Sequence, residues 1–150
     1  MNSKSFTLIE LFIIMAVIST LAVIAIPNLL RVKIDANEAA ALKALRTLNT
    51  AFESFYTING RYPHNFGELK NAFPPYIDYE VTESSEGLQD WIVRQGYRVD
   101  MCVHCSSNYS YIIEAKPLQP GRTGNKWYRI TESGMLEFKD SQDGEYQPLQ

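Results

Sequence analysis

The sequence predicts an α+β protein in which a long, kinked amino-terminal helix packs on an antiparallel sheet of about four strands. Three observations carry this prediction. Residues 11–30 contain no charged side chain. Residues 35–58 are rich in Ala and Leu with apolar side chains at helical spacing. From Gly96 onward, apolar and polar residues alternate between clusters of Gly, Pro and Ser, as half-buried strands do.

The chain has 150 residues, 45% of them hydrophobic and 21% charged, with a formal net charge of −3. One small domain is expected rather than two. The acidic balance excludes a generic binder of nucleic acid, which needs a surplus of Lys and Arg to meet phosphates. With two cysteines, neither a disulfide-dense scaffold nor a four-Cys zinc or iron–sulfur site can be built within one chain.

The uncharged run LFIIMAVISTLAVIAIPNLL spans 20 residues, about 30 Å as a helix, which matches the hydrocarbon thickness of a bilayer. A cleaved secretory signal competes with this reading, since Lys4 precedes the run and Val23-Ile24-Ala25 loosely resembles a signal-peptidase site. Glu10 argues against it. A carboxylate at the front of the apolar region costs about 2–3 kcal/mol if it lies deep without a partner, unless it merely reaches back to water. Charge counting does not orient the segment, because Lys4 flanks one end while Arg31 and Lys33 flank the other.

Pro27 falls inside the helical pattern, where it removes a backbone hydrogen bond and crowds the preceding turn. A kink near residues 23–27 follows if the helix continues; the alternative is that Pro27 ends the first helix and a second begins near Asp35. Beyond it, Ala41, Leu45, Leu48, Phe52 and Phe55 form one apolar stripe, with Lys43, Arg46 and Glu53 mostly off it. Asn59-Gly60 followed by Pro63 supplies the stop signal. A helix from Phe6 to Ile58 would run about 80 Å, so its first half needs cover from lipid or from other copies of the chain.

Residues 65–70 read as a short helical turn ended by Pro74-Pro75, and residues 80–95 as an acidic surface loop tacked to the core by Trp91 and Ile92. Tyr97, Val99, Met101 and Val103 face one side of a strand, and Tyr109, Tyr111, Ile113 and Ala115 face one side of the next. After a loop at 116–125, residues 126–131 and 135–138 form a second hairpin around Ser133-Gly134. Residues 140–150 read as a polar tail.

Ser5, then Phe6-Thr7-Leu8-Ile9-Glu10-Leu11, then a long apolar helix with Ala25-Ile26-Pro27, resembles the amino terminus of type IV pilins and of the related pseudopilins of type II secretion. The head adds weaker likenesses at Glu38-Ala39-Ala40-Ala41-Leu42, Gly60-Arg61-Tyr62-Pro63, Gly96-Tyr97-Arg98 and Pro120-Gly121-Arg122-Thr123-Gly124. The resemblance implies the pilin fold, with a leader at 1–5, an assembly helix at 6–30 and a soluble head at 31–150. It implies cleavage between Ser5 and Phe6 by a prepilin peptidase and N-methylation of Phe6. The residue before the cut is normally Gly, so Ser5 predicts slower processing or a permissive peptidase.

The implied function is structural, not enzymatic. The chain would sit in the inner membrane as a single-pass protein, meet an inner-membrane assembly platform, and polymerise as a homo-oligomeric helical filament. That filament is an extracellular pilus serving adhesion or motility, or a periplasmic pseudopilus; a membrane-anchored ligand-binding module is the reading from another class. The freed amino group of Phe6, with an ordinary pKa of about 8, would face Glu10 of an adjacent subunit and set axial register.

Cys102-Val103-His104-Cys105 lies near the predicted hairpin tip. An oxidising exterior favours a Cys102–Cys105 disulfide, which requires the strand to end near Cys102, because residues three apart on an extended strand sit about 10 Å apart. Metal binding lacks a fourth ligand, haem attachment lacks His after the second Cys, and a redox pair lacks a helix start to lower a thiol pKa. The two histidines, His64 and His104, and scattered carboxylates suggest no catalytic group, no metal and no cofactor.

Overall fold

The computed structural model describes residues 6–83, 90–106 and 109–149. Its elements are α1 (Leu8–Asn59), α2 (Phe66–Asn71), β1 (Val81–Glu83), β2 (Asp90–Arg94), β3 (Tyr97–Ser106), β4 (Tyr109–Pro117), β5 (Trp127–Thr131), β6 (Leu136–Lys139) and β7 (Gln147–Pro148). The chain divides into two compact units, one up to Lys33 and the other from Ile34.

In the first unit, the described backbone from Leu8 on is helical. Pro27 lies inside α1 without ending it, so the alternative of two separate helices is overturned. The ring is tolerated because a helix can lose one hydrogen bond and still continue. Large apolar side chains of this unit stay exposed, from Phe6 at 77% to Val32 at 57%. α1 is long and apolar enough to cross a membrane, and none of its most apolar stretch is buried in the chain's own fold.

In the second unit, the apolar stripe of α1 is where the sequence places it. Ala41, Leu45, Leu48, Phe52 and Phe55 are all buried, while Lys43 and Arg46 are exposed. The helix stops at Asn59, and Gly60 takes φ +69° as its amide donates to the Tyr56 carbonyl at 2.8 Å. α2 begins one residue later than expected because Asn65 is its cap, its Oδ1 accepting from the Glu68 amide at 2.8 Å.

The sheet has seven strands in sequential order, each antiparallel to the next, rather than about four. The central four are the expected ones. The extra strands come from stretches read as loop and tail. β2 pairs with β3 across the two-residue turn Gln95-Gly96, whose φ values of +42° and +81° match the twist of a tight hairpin. β1 adds to β2, and β7 adds to β6 with the Leu149 amide donating to the Leu136 carbonyl at 2.8 Å.

The inner face of the sheet carries Ile92, Tyr97, Val99, Tyr111, Ile113, Ala115, Tyr128, Ile130 and Leu136 into one core with the α1 stripe, Phe66 and Leu69. Aromatic rings join the layers: Phe52 lies 4.8 Å from Tyr111, and Tyr62 lies 4.7 Å from Tyr111, centroid to centroid. The outer face is ionic. Arg98 pairs with Asp100 while covering Trp91, Lys116 bridges Asp100 and Glu114, and Arg129 pairs with Glu137.

Candidate assembly site

The amino-terminal turn of α1 is a reciprocal cap. The Thr7 amide and hydroxyl donate to Glu10 Oε2 at 2.8 and 2.6 Å, and the Glu10 amide donates to Thr7 Oγ1 at 3.4 Å. Thr7-Leu8-Ile9-Glu10 is thus a capping box, which satisfies backbone amides that have no partner within the helix. Its signature, Thr followed three residues later by Glu, stands in the sequence before an apolar run. Only Oε2 of Glu10 is engaged; Oε1 accepts no hydrogen bond among the described residues. Phe6 stands exposed one residue before the cap, and Ser5 lies outside the described residues.

The hydroxyls of this apolar stretch are turned back on their own helix. Ser19 Oγ donates to the Met15 carbonyl at 2.7 Å and Thr20 Oγ1 to the Val17 carbonyl at 2.8 Å. Neither needs water, so the stretch tolerates lipid or another apolar helix around it. Chemically the unit offers an exposed apolar cylinder with one carboxylate oxygen that accepts nothing among the described residues near its start.

Comparison with known proteins yields no matching family model and no matching solved structure. The type IV major pilin protein PilA of Myxococcus xanthus is 42% identical over 68 residues, 45% of this chain and 31% of that protein. The type IV wide pilus major component PilA4 of Thermus thermophilus is 42% identical over 89 residues, 56% of this chain and 67% of that protein. The chain belongs to the type IV pilin family. It covers less than a third of the length of the Myxococcus pilin and two thirds of the Thermus one.

Within the second unit of this pilin, polar side chains whose role no sequence pattern reveals fasten α1 to the sheet. Asn37 donates to the Thr123 carbonyl at 2.8 Å. Glu38 accepts from the Asn125 amide and the Tyr128 hydroxyl, both at 2.9 Å. The Tyr111 hydroxyl lies 2.8 Å from Asn49 Oδ1 and 2.9 Å from Glu53 Oε1, and the Tyr62 hydroxyl donates to the same Glu53 oxygen at 3.3 Å. Burial, reinforced by Glu53, pushes the Tyr62 hydroxyl up to about 12 and raises that of Tyr111 further. Burial beside Glu38 likewise raises the Tyr128 hydroxyl. The helical repeat places Asn37, Glu38, Asn49 and Glu53 beside the stripe, yet apart from Tyr62, nine residues from Glu53, their partners lie 58 to 90 residues away in sequence, too far for any local pattern to reveal.

Cys102 is disulfide-bonded. β3 does not end near Cys102 as expected; it continues to Ser106, with a register shift between Val103 and Ser106. A bulge of this kind shortens and turns a strand locally without ending it. The side chains of His104 and Cys105 lie outside the described residues. Among the described residues, no group of three or more His, Cys, Asp and Glu stands close enough to hold a metal ion.

Proposed function

We propose that this pilin is the structural subunit of a type IV pilus, held in the inner membrane by residues 6–30, cleaved between Ser5 and Phe6, methylated on Phe6 and polymerised through α1. The observation that carries this reading is the exposed apolar surface from Phe6 to Val32, with none of its most apolar stretch sheltered by its own fold, in a chain of this family. The relatives are components of type IV pili, which does not favour a secretion pseudopilin. A prepilin peptidase and an inner-membrane assembly platform are the partners this life cycle requires. The pilus carries the subunit outside the cell, where it serves adhesion or motility.

The mechanism follows from the cap. Before assembly, Glu10 keeps Thr7 and the first turn satisfied through Oε2. In the filament, Oε1 receives the α-amino cation of Phe6 from an adjacent subunit, so one carboxylate closes its own helix and registers its neighbour. A buried ion pair of this kind adds little stability, but an unmatched one is costly, and that asymmetry selects a single axial alignment. Pro27 gives α1 the bend that lets the apolar stretch reorient. A Cys102–Cys105 disulfide closes the β3 bulge.

Two measurements test this. Mass spectrometry of the mature amino terminus is expected to find a methylated Phe6, and a chain starting after Ala25 would overturn the reading. Glu10→Ala is expected to abolish pili while the head unfolds at the parental temperature; pili at parental yield would remove Glu10 from assembly.

A further inference from the structure

The side of α1 that faces away from the sheet carries a second feature. Lys43 and Arg46 are exposed there and take part in no ion pair among the described residues, one helical turn apart. Below them, Thr47, Thr50, Ser54 and Thr57 each donate to a carbonyl of α1, namely those of Lys43, Arg46, Thr50 and Glu53, at 2.8–3.1 Å. These hydroxyls are satisfied already, so a partner can cover them without stranding a donor. The two cations are different: covered, they need carboxylates.

The chain presents such carboxylates elsewhere. Between β6 and β7, Asp140, Asp143 and Glu145 are exposed and form no ion pair among the described residues. The turn bearing them is held in place. Lys139 Nζ donates to the Gln142 carbonyl at 2.6 Å, and the Gly144 amide donates to the Ser141 carbonyl at 3.2 Å. Tyr146 is clamped under Arg129 at 3.9 Å and Lys139 at 4.8 Å, with its hydroxyl on Glu114. A pre-ordered anionic turn loses little entropy when it docks.

Resting on the filament reading, we infer that the Lys43–Arg46 face of α1 receives the Asp140–Glu145 turn of a second copy of this chain. The contact is heterologous, donor face to acceptor turn, so it propagates from copy to copy instead of closing a pair. Its charges select and orient neighbours more than they add affinity.

The test uses the full chain expressed with its assembly machinery. Arg46→Cys combined with Asp143→Cys is expected to give a ladder of cross-linked oligomers on mild oxidation, with neither single substitution doing so. Lys43→Glu with Arg46→Glu is expected to lower pilus yield about tenfold, at unchanged membrane level and unchanged unfolding temperature of the head. Adding Asp140→Lys, Asp143→Lys and Glu145→Lys is expected to restore yield to within about threefold. Parental yield from the Glu pair without a ladder, while Glu10→Ala abolishes pili, would overturn this contact and leave the filament standing. A lowered yield that the reversed turn fails to restore would also overturn it, assigning the cations to another partner such as lipid phosphates. If the unaltered chain forms no pili, the filament reading fails and this contact with it.

Discussion

A carboxylate at position 10 can close its own helix and still meet a cation from outside, because among the described residues Thr7 occupies one of its oxygens and leaves the other. Removing the Thr7 hydroxyl therefore acts on the cap alone. Thr7→Ala is expected to weaken the first turn by about 1 kcal/mol and slow assembly without abolishing it, read as pilus yield beside Glu10→Ala. In the head, the tyrosine hydroxyls on Glu53 and Glu38 are protonated donors. Each holds its proton to a higher pH than an unfolded tyrosine, whose pKa is about 10. Their contribution is complete below pH 10 and is lost as pH rises from there toward the folded value, about 12 for Tyr62. Urea unfolding is expected to show stability falling above pH 10, with a shallower fall in Tyr62→Phe; an equal fall in that variant would place the titration elsewhere.

Packing at single elements separates what space forbids from what backbone forbids. A Cβ on Gly124 would stand 1.9 Å from the Tyr97 hydroxyl, which itself donates to the Lys126 carbonyl, whereas one on Gly121 would meet nothing within 4 Å. Gly124→Ala is expected to cost about 1–3 kcal/mol by overpacking. Gly121→Ala is expected to cost about 1–2 kcal/mol, from its φ of +81° alone. Thermal unfolding of the two heads, with Tyr97→Phe restoring nothing in the second, distinguishes the causes. α1, its stripe, its stop and the central strands were legible because each is written in local periodicity or turn chemistry. β1, β2 and β7 were not. β1 and β7 are short edge strands that only pairing with an inner neighbour makes strands, while β2, DWIVR between β1 and β3, has an apolar centre too short to stand out beside the acidic residues that precede it. The β2–β3 turn had a visible Gly96, but Gln95 at φ +42° is a residue rarely found there. The open oxygen of Glu10 and the cap were half legible: the Thr-x-x-Glu spacing was present, but which oxygen stays free is a matter of geometry.

For the whole molecule, stability and the proposed polymerisation draw on different surfaces. Phe52 is fully buried against Tyr111 and Phe66, so Phe52→Ala is expected to destabilise the head by about 3–5 kcal/mol. Its effect on pili is expected to track loss of folded protein, measured as yield per folded subunit, and a specific assembly defect would contradict that. The seven-stranded sheet ends on β1 at one side and β7 at the other, three and two residues long. Margins that brief offer a passing chain almost no backbone to zip onto. Lateral growth into amyloid-like ribbons is thereby discouraged, even at the crowding of the fibre proposed for this chain.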